Sequence, residues 1–229
     1  MRNLVVPLIL VLLSFSDYVN ARDSICYGTT KYGRLEYGVK LPARGINFTS
    51  YGNYPELSNR TFVHSRVKDI IVTAYNKLAT SRPNTLYKFA ESGFAHGGKF
   101  PPHTTHQNGL SVDFMVPVRD EDNVSTYFPT TKSNRYGYNV EFDKHGRYKN
   151  YRIDFEALAA HIVTLDKVAK DNGIRLWRVL FSPDLQDNLY QTTYGNYLKK
   201  HVIIPTKRSW IRHDEHYHVD FSVHCKNGL

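Results

Sequence analysis

Two distant stretches of the chain alternate between apolar and polar residues, and they constrain the fold more than any other feature. In "SVDFMVPV" (111–118), Val112, Phe114 and Val116 fall on one face and Asp113 on the other. In "HYHVDFSV" (216–223), Tyr217, Val219, Phe221 and Val223 share a face, while His216, His218 and Asp220 share its opposite. A period of two belongs to a β-strand. Each strand therefore needs a cover for its apolar side and carries acid–base or metal-binding residue types on the other. If the two strands pair, Asp113 and His218 converge on one point.

The covering elements read as helices. Apolar residues at 63, 67, 70, 71, 74 and 78 predict a helix over 58–81 with Ser58 or Asn59 as its N-cap. A second is expected from Asp154 to Asn172. Asp154 caps it, Leu158, Ile162, Leu165, Val168 and Ala169 form its buried stripe, and Gly173 ends it. "RLWRVLF" (175–181) reads as a buried strand, and 185–200 as a further helix. Together these predict an α+β fold with a small antiparallel sheet as core, flanked by helices. The stretch 119–152 is rich in Asp, Asn, Lys, Arg and Tyr and has little periodicity. It is expected to be a loop or hairpin insertion at the sheet edge, able to shape a cleft.

The first 21 residues stand apart from this domain. Arg2, an apolar run from Leu4 to Leu13 and the ending Val19-Asn20-Ala21 form the pattern of a signal peptide over 1–21. The run is shorter than the roughly 20 residues a membrane span needs, and no later stretch is long and apolar enough. The expectation is an exported protein, periplasmic or secreted, with one domain over 22–229 and no transmembrane anchor. Export gives meaning to the two cysteines, Cys26 and Cys225, which are expected to form a disulfide between the ends of the domain. The formal charge of +9 comes from 30 Lys+Arg against 21 Asp+Glu. It favours polyanions in general, but the basic residues are dispersed, so no specific nucleic-acid site is expected.

The chemistry concentrates in "HTTHQNGLSVDF" (103–114) and "RHDEHYHVDF" (212–221). His106 lies in a Gly-containing turn just before the first strand and can swing over it. Two imidazole nitrogens and one carboxylate oxygen, from His106, Asp113 and His218, make a catalytic zinc set with one position left for water. His216, two residues from His218 on the same face, is then placed to reach the water or the substrate. A structural zinc would close its shell with Cys or His, and the nearby Cys225 is assigned to the disulfide.

These two motifs resemble the penicillin-insensitive murein endopeptidases, within the wider group of zinc peptidases that includes lysostaphin and the D-Ala-D-Ala metallopeptidases. The group is marked by His-x6-Asp and a later His-x-His, here His106…Asp113 and His216-Tyr217-His218. The endopeptidase branch adds histidines matching His103 and His213, and "AHGGKFPP" (95–102) resembles a glycine pair of that branch. The match is good over 90–118 and 208–223. The resemblance implies a hedgehog/D-Ala-D-Ala-peptidase-like fold and one Zn2+ held by His106, Asp113 and His218, with His103 a further candidate. It also implies a catalytic role for His216 and a place in the cleft for His213. The implied substrate is peptidoglycan, cut at peptide cross-bridges containing D-amino acids. This sequence departs from the branch at Ser111, where an acid is usual, at Thr105, where serine is usual, and at Asp220, where a basic residue is frequent. The alternative is a catalytically inactive zinc-binding module for the cell wall or for signalling, since the fold also serves without hydrolysis in hedgehog proteins.

Overall fold

The structure is a computed structural model that describes residues 22–209 and 211–227. The expected signal peptide lies outside them. The two alternating segments do pair. Ser111–Met115 and His216–Ser222 run antiparallel, with His218 opposite Asp113, Tyr217 opposite Phe114 and Asp220 opposite Ser111. They are the centre of a five-stranded sheet built from β1 (Phe48–Ser50), β2 (Tyr87–Phe89), β3 (Ser111–Met115), β4 (Arg175–Leu180) and β5 (His216–Ser222). The order across the sheet is β4-β5-β3-β2-β1, antiparallel throughout except for the parallel β2–β1 pair at one edge. The fold is α+β, as the periodicities predict.

Two long helices, α1 (Ser65–Ser81) and α2 (Phe155–Asp171), supply the cover for the apolar face. Tyr75 of α1 and His161 of α2 stack on each other at 4.8 Å between ring centroids, and His161 meets Phe114 edge-on at 4.9 Å. Phe114 in turn stacks on Tyr217 at 5.4 Å, so the aromatic layer ties both helices to both central strands. The Asp154 side chain accepts from the Ala157 amide and caps α2, as expected.

Several boundaries differ from the sequence reading. The helix expected over 58–81 begins only at Ser65, with His64 as its N-cap. Residues 62–63 pair instead with Val39–Lys40 as a two-residue strand, because the Thr61-Phe62-Val63 run suits a pleated ladder and finds a partner there. The helix expected over 185–200 is two, Gln186–Tyr190 and Gly195–His201, broken where Thr192 turns its hydroxyl back to the Leu189 carbonyl. β3 stops before Pro117, which cannot donate to a ladder.

The 119–152 stretch contains short hairpins. Strands of two or three residues (118–119, 125–126, 147–148, 151–153) form a separate four-stranded sheet. Phe128, Phe142, Tyr148 and Tyr151 pack ring to ring beneath it. Strands this short show no period. Between them, residues 131–142 cross the polar face of the central pair, where Tyr138 bonds Asp113 and the Phe142 amide bonds Asp214. That crossing buries the polar face as deeply as the apolar one.

Cys26 and Cys225 form the expected disulfide across a separation of 199 residues, and Lys226 pairs through its backbone with Cys26 and Gly28 beside it. Chain entropy assigns such a closure up to about 5 kcal/mol. Cys225→Ser should therefore lower the unfolding free energy measured in urea by an amount approaching that figure. A second prediction concerns His161. Burial, with Tyr75, Tyr87 and Tyr217 around it, pushes its pKa down to about 3. The folded state keeps it neutral while the unfolded chain takes up a proton below about pH 6.5. Its contribution is thus complete above that pH and is lost as the pH falls through 6.5 toward 3, by up to about 5 kcal/mol. The double variant His161→Phe/Tyr217→Phe removes both partners together and should show a shallower loss of melting temperature between pH 7 and 4 than the wild type.

Candidate metal centre

Asp113 leaves β3 on its polar face and is completely buried. His216 and His218 leave β5 on the same side, and the register sets His218 directly opposite Asp113. His103 and His106 come from the loop before β3. That loop is held by the glycine pair. Gly97 has φ +66, and a Cβ on it would lie 2.2 Å from the Gln107 carbonyl oxygen; Gly98 donates its amide to that same carbonyl at 2.8 Å. The two glycines therefore let the 94–98 turn lie flat against residue 107, beside His106. His106 itself has φ +68, a left-handed conformation unusual for a non-glycine residue and common at functional sites.

Four imidazoles follow one pattern. Each turns one ring nitrogen to an acceptor on the outside and the other toward the Asp113 carboxylate. His106 donates from Nδ1 to the Ser92 carbonyl at 3.1 Å and faces Asp113 Oδ1 with Nε2 at 3.3 Å. His103 donates from Nε2 to Glu91 and faces Asp113 Oδ2 with Nδ1 at 3.8 Å. His216 donates from Nδ1 to Glu215 Oε1 at 2.7 Å and faces Asp113 Oδ2 with Nε2 at 3.8 Å. His218 donates from Nε2 to Asp220 Oδ1 at 2.8 Å and meets Asp113 Oδ1 with Nδ1 at 2.8 Å. An outer acceptor fixes the tautomer and makes the inner nitrogen more basic, which is how metal-binding histidines are held.

The electrostatics are those of a carboxylate held ionised among imidazoles. Burial alone would raise the Asp113 pKa, but the neighbouring His106 and His216 imidazoles, with a hydrogen bond from His218, hold it well below the usual carboxylate range. Burial would lower His218, yet Asp220 and Asp113 outweigh it and push the pKa up to about 10. Burial lowers His106, and its Nε2 has no hydrogen-bond partner among the described residues. A buried lone pair without a donor, directed at a carboxylate, fits a metal ligand. One nitrogen each from His103 and His106 and an oxygen of Asp113 lie within 4.8 Å of one another, and the His218 ring stands 4.8 Å from that of His106. His103, His106 and His218 all face the Asp113 carboxylate, and the first two join it in this compact group, while His218 is hydrogen-bonded to Asp113 at 2.8 Å.

His213 stands at the edge. Its ring is 4.8 Å from that of His216, its Nδ1 donates to the Ile211 carbonyl, and burial with the neighbouring His216 and His218 pushes its pKa down to about 3. It lines a small cavity of about 130 Å³ with His218, Lys31 and Arg178. On the other side of His103 opens a larger cleft of about 620 Å³.

The outer acceptors are what sequence reading missed. Glu91 is buried and also binds Arg60 and the Tyr51 hydroxyl; burial would raise its pKa, but His103 and Arg60 bring it below the ordinary value. The Tyr138 hydroxyl donates to Asp113 Oδ2 at 3.0 Å. Neither residue carries a local signal, since loop crossings bring both in. Glu215 and Asp220 do: the first precedes His216, and the second shares the strand face of His216 and His218. Asp220 also resolves two departures at once. It is the cross-strand partner of Ser111, accepts from its hydroxyl at 2.6 Å, and accepts from Arg178 Nε at 2.7 Å. In this pair the carboxylate stands on β5 and the small hydroxyl on β3, so a buried acid still serves His218.

The profile of the penicillin-insensitive murein endopeptidases matches residues 26–228. The chain belongs to that family. No curated protein is detectably similar to it in sequence. The match covers all the histidines of the cluster and both cysteines, so the centre lies in the family's shared domain and not in an addition to it. Membership makes the chain a peptidase directed at peptidoglycan.

The outer-acceptor pattern is open to a direct check. Asp220→Asn should lower divalent-metal affinity about 10–100-fold in competition with a chromogenic chelator. Ser111→Ala should lower it less, because Arg178 still holds the Asp220 carboxylate.

Proposed function

We propose that this protein is an exported, zinc-dependent peptidoglycan hydrolase that cleaves peptide cross-bridges containing D-amino acids. The observation that carries the zinc reading is the orphaned Nε2 of His106, buried and facing a carboxylate that the imidazoles of His103, His216 and His218 also face. Mixed nitrogen and oxygen donors from His106, Asp113 and His218, with His103 beside them, suit zinc over the all-oxygen preference of calcium or magnesium. Export is supported by the 1–21 sequence pattern and by the disulfide, which is at home in an oxidising compartment. The net charge of +9 favours an anionic wall polymer.

Bound zinc would supply Lewis-acid polarisation of the scissile carbonyl and acidification of the attacking water. The remaining work belongs to the chain. Glu215 orients the His216 ring through Nδ1, so that Nε2, on the Asp113 side, is the atom that accepts and returns the proton. Tyr138 donates to Asp113 and fixes the rotamer of the carboxylate. Glu91, tied to Arg60 and Tyr51, does the same for His103. The burying segments 90–110 and 131–142 exclude water from behind the centre, while the cleft leaves its front open to a polymer.

The test is digestion of purified peptidoglycan with mass spectrometry of the released peptides, paired with metal analysis. Chelation should abolish release and zinc should restore it; release that survives chelation would contradict the zinc reading. His106→Ala should lose both metal and activity. His216→Ala should keep the metal and lose about 10²–10⁴ in kcat; wild-type turnover in that variant would remove His216 from its role.

A further inference from the structure

The cleft beside the metal centre has a wall that the hydrolytic chemistry does not use. Leu57, Pro101, Pro102, Tyr136 and Ile211 give it an apolar lining. Its carboxylates, Glu91 and Glu215, are spent on His103 and His216. Its cations are Arg60, Lys132 and Arg135. Arg60 is committed to Glu91 and to the Pro101 carbonyl, and Lys132 lies over the Tyr54 ring at 5.1 Å. The Arg135 guanidinium makes no hydrogen bond or ion pair among the described residues, although it lines the cleft and is exposed.

The backbone that carries it is strained. Arg135 (φ 49, ψ 47) and Tyr136 (φ 58, ψ 33) are consecutive non-glycine residues in the left-handed region, which L-residues avoid. The turn is held there from several sides. Asn134 accepts through Oδ1 from the Thr131 and Gly137 amides at 2.8 and 2.9 Å and donates to the Pro129 carbonyl at 2.7 Å; the Tyr136 amide donates to the Thr131 carbonyl at 2.7 Å. A glycine at 135 would make the same turn without steric cost, as Gly137 does two residues later at φ +103. Strain kept by this many surrounding bonds points to a side chain placed for a purpose.

We propose that this cleft is a subsite for a substrate residue with an aliphatic stem ending in a carboxylate, next to the cleaved bond, and that Arg135 is the specificity-determining residue that binds the carboxylate. The apolar lining takes the stem. The planar guanidinium takes the two oxygens in the paired geometry it favours. This inference rests on the peptidase reading above and adds the chemistry of the residue beside the scissile bond.

Cross-linked peptide fragments of peptidoglycan are prepared with the carboxylates next to the cross-link either free or amidated, and each is digested by the zinc-loaded protein. The wild type should favour the free acid by about ten-fold in kcat/KM, with the difference mainly in KM, since the charge-assisted paired hydrogen bonds to the guanidinium are lost in the amide. In Arg135→Gln that ratio should fall to near one, and Arg135→Lys should restore part of it. Arg135→Gly suits the backbone, so it should keep or raise the melting temperature while losing the preference, which separates charge from fold. A wild-type ratio near one, or a wild-type ratio retained in Arg135→Gly, overturns the subsite while leaving the peptidase intact. Failure of the wild type to cleave either form overturns the peptidase reading as well.

Discussion

The structure depends on one buried carboxylate. Asp113 is fully enclosed, and a carboxylate without compensation in such a place would cost several kcal/mol or become protonated. It stays ionised because His218 and Tyr138 hydrogen-bond to it and the imidazoles of His106 and His216 stand beside it. Removing any of these weakens the reason for the others to be where they are. The same arrangement goes with a polar face as buried as the apolar one: in low dielectric the hydrogen bonds that hold Asp113 and its imidazoles are stronger than in water.

Each imidazole is oriented from outside by a different acceptor, and these come from different parts of the chain. Ser92 and Glu91 lie in the loop after β2, Glu215 just before β5, and Asp220 within it. The scaffold that keeps them in register is held at both ends. The disulfide ties Cys225, after β5, to Cys26, and the 131–142 crossing ties the insertion to Asp113 and Asp214. Arg178 stands opposite Asp220 in the β4–β5 register and binds its carboxylate, so even the edge strand contributes to His218.

The convergence of Asp113 and His218 was legible in the sequence because strand periodicity assigns faces unambiguously, and two apolar faces demand pairing under a common cover. α2 was legible because its cap, stripe and terminating glycine all agree. The start of α1 was not, since the Phe62-Val63 pair fits helical spacing while its preference is decided by a distant partner strand at 39–40. The 119–152 region was opaque because its strands are too short to show a period. Glu91 and Tyr138 were opaque for a different reason. Their role comes from tertiary placement, 22 and 25 residues from Asp113 in sequence, and nothing local marks either residue.

Anomalous scattering at the zinc edge from crystals of the protein grown with zinc tests the account most directly. A single strong peak is predicted about 2.0–2.2 Å from His106 Nε2, an Asp113 carboxylate oxygen and His218 Nδ1. Zinc bound elsewhere, with Asp113 and its imidazoles still bonded only to one another, would contradict it.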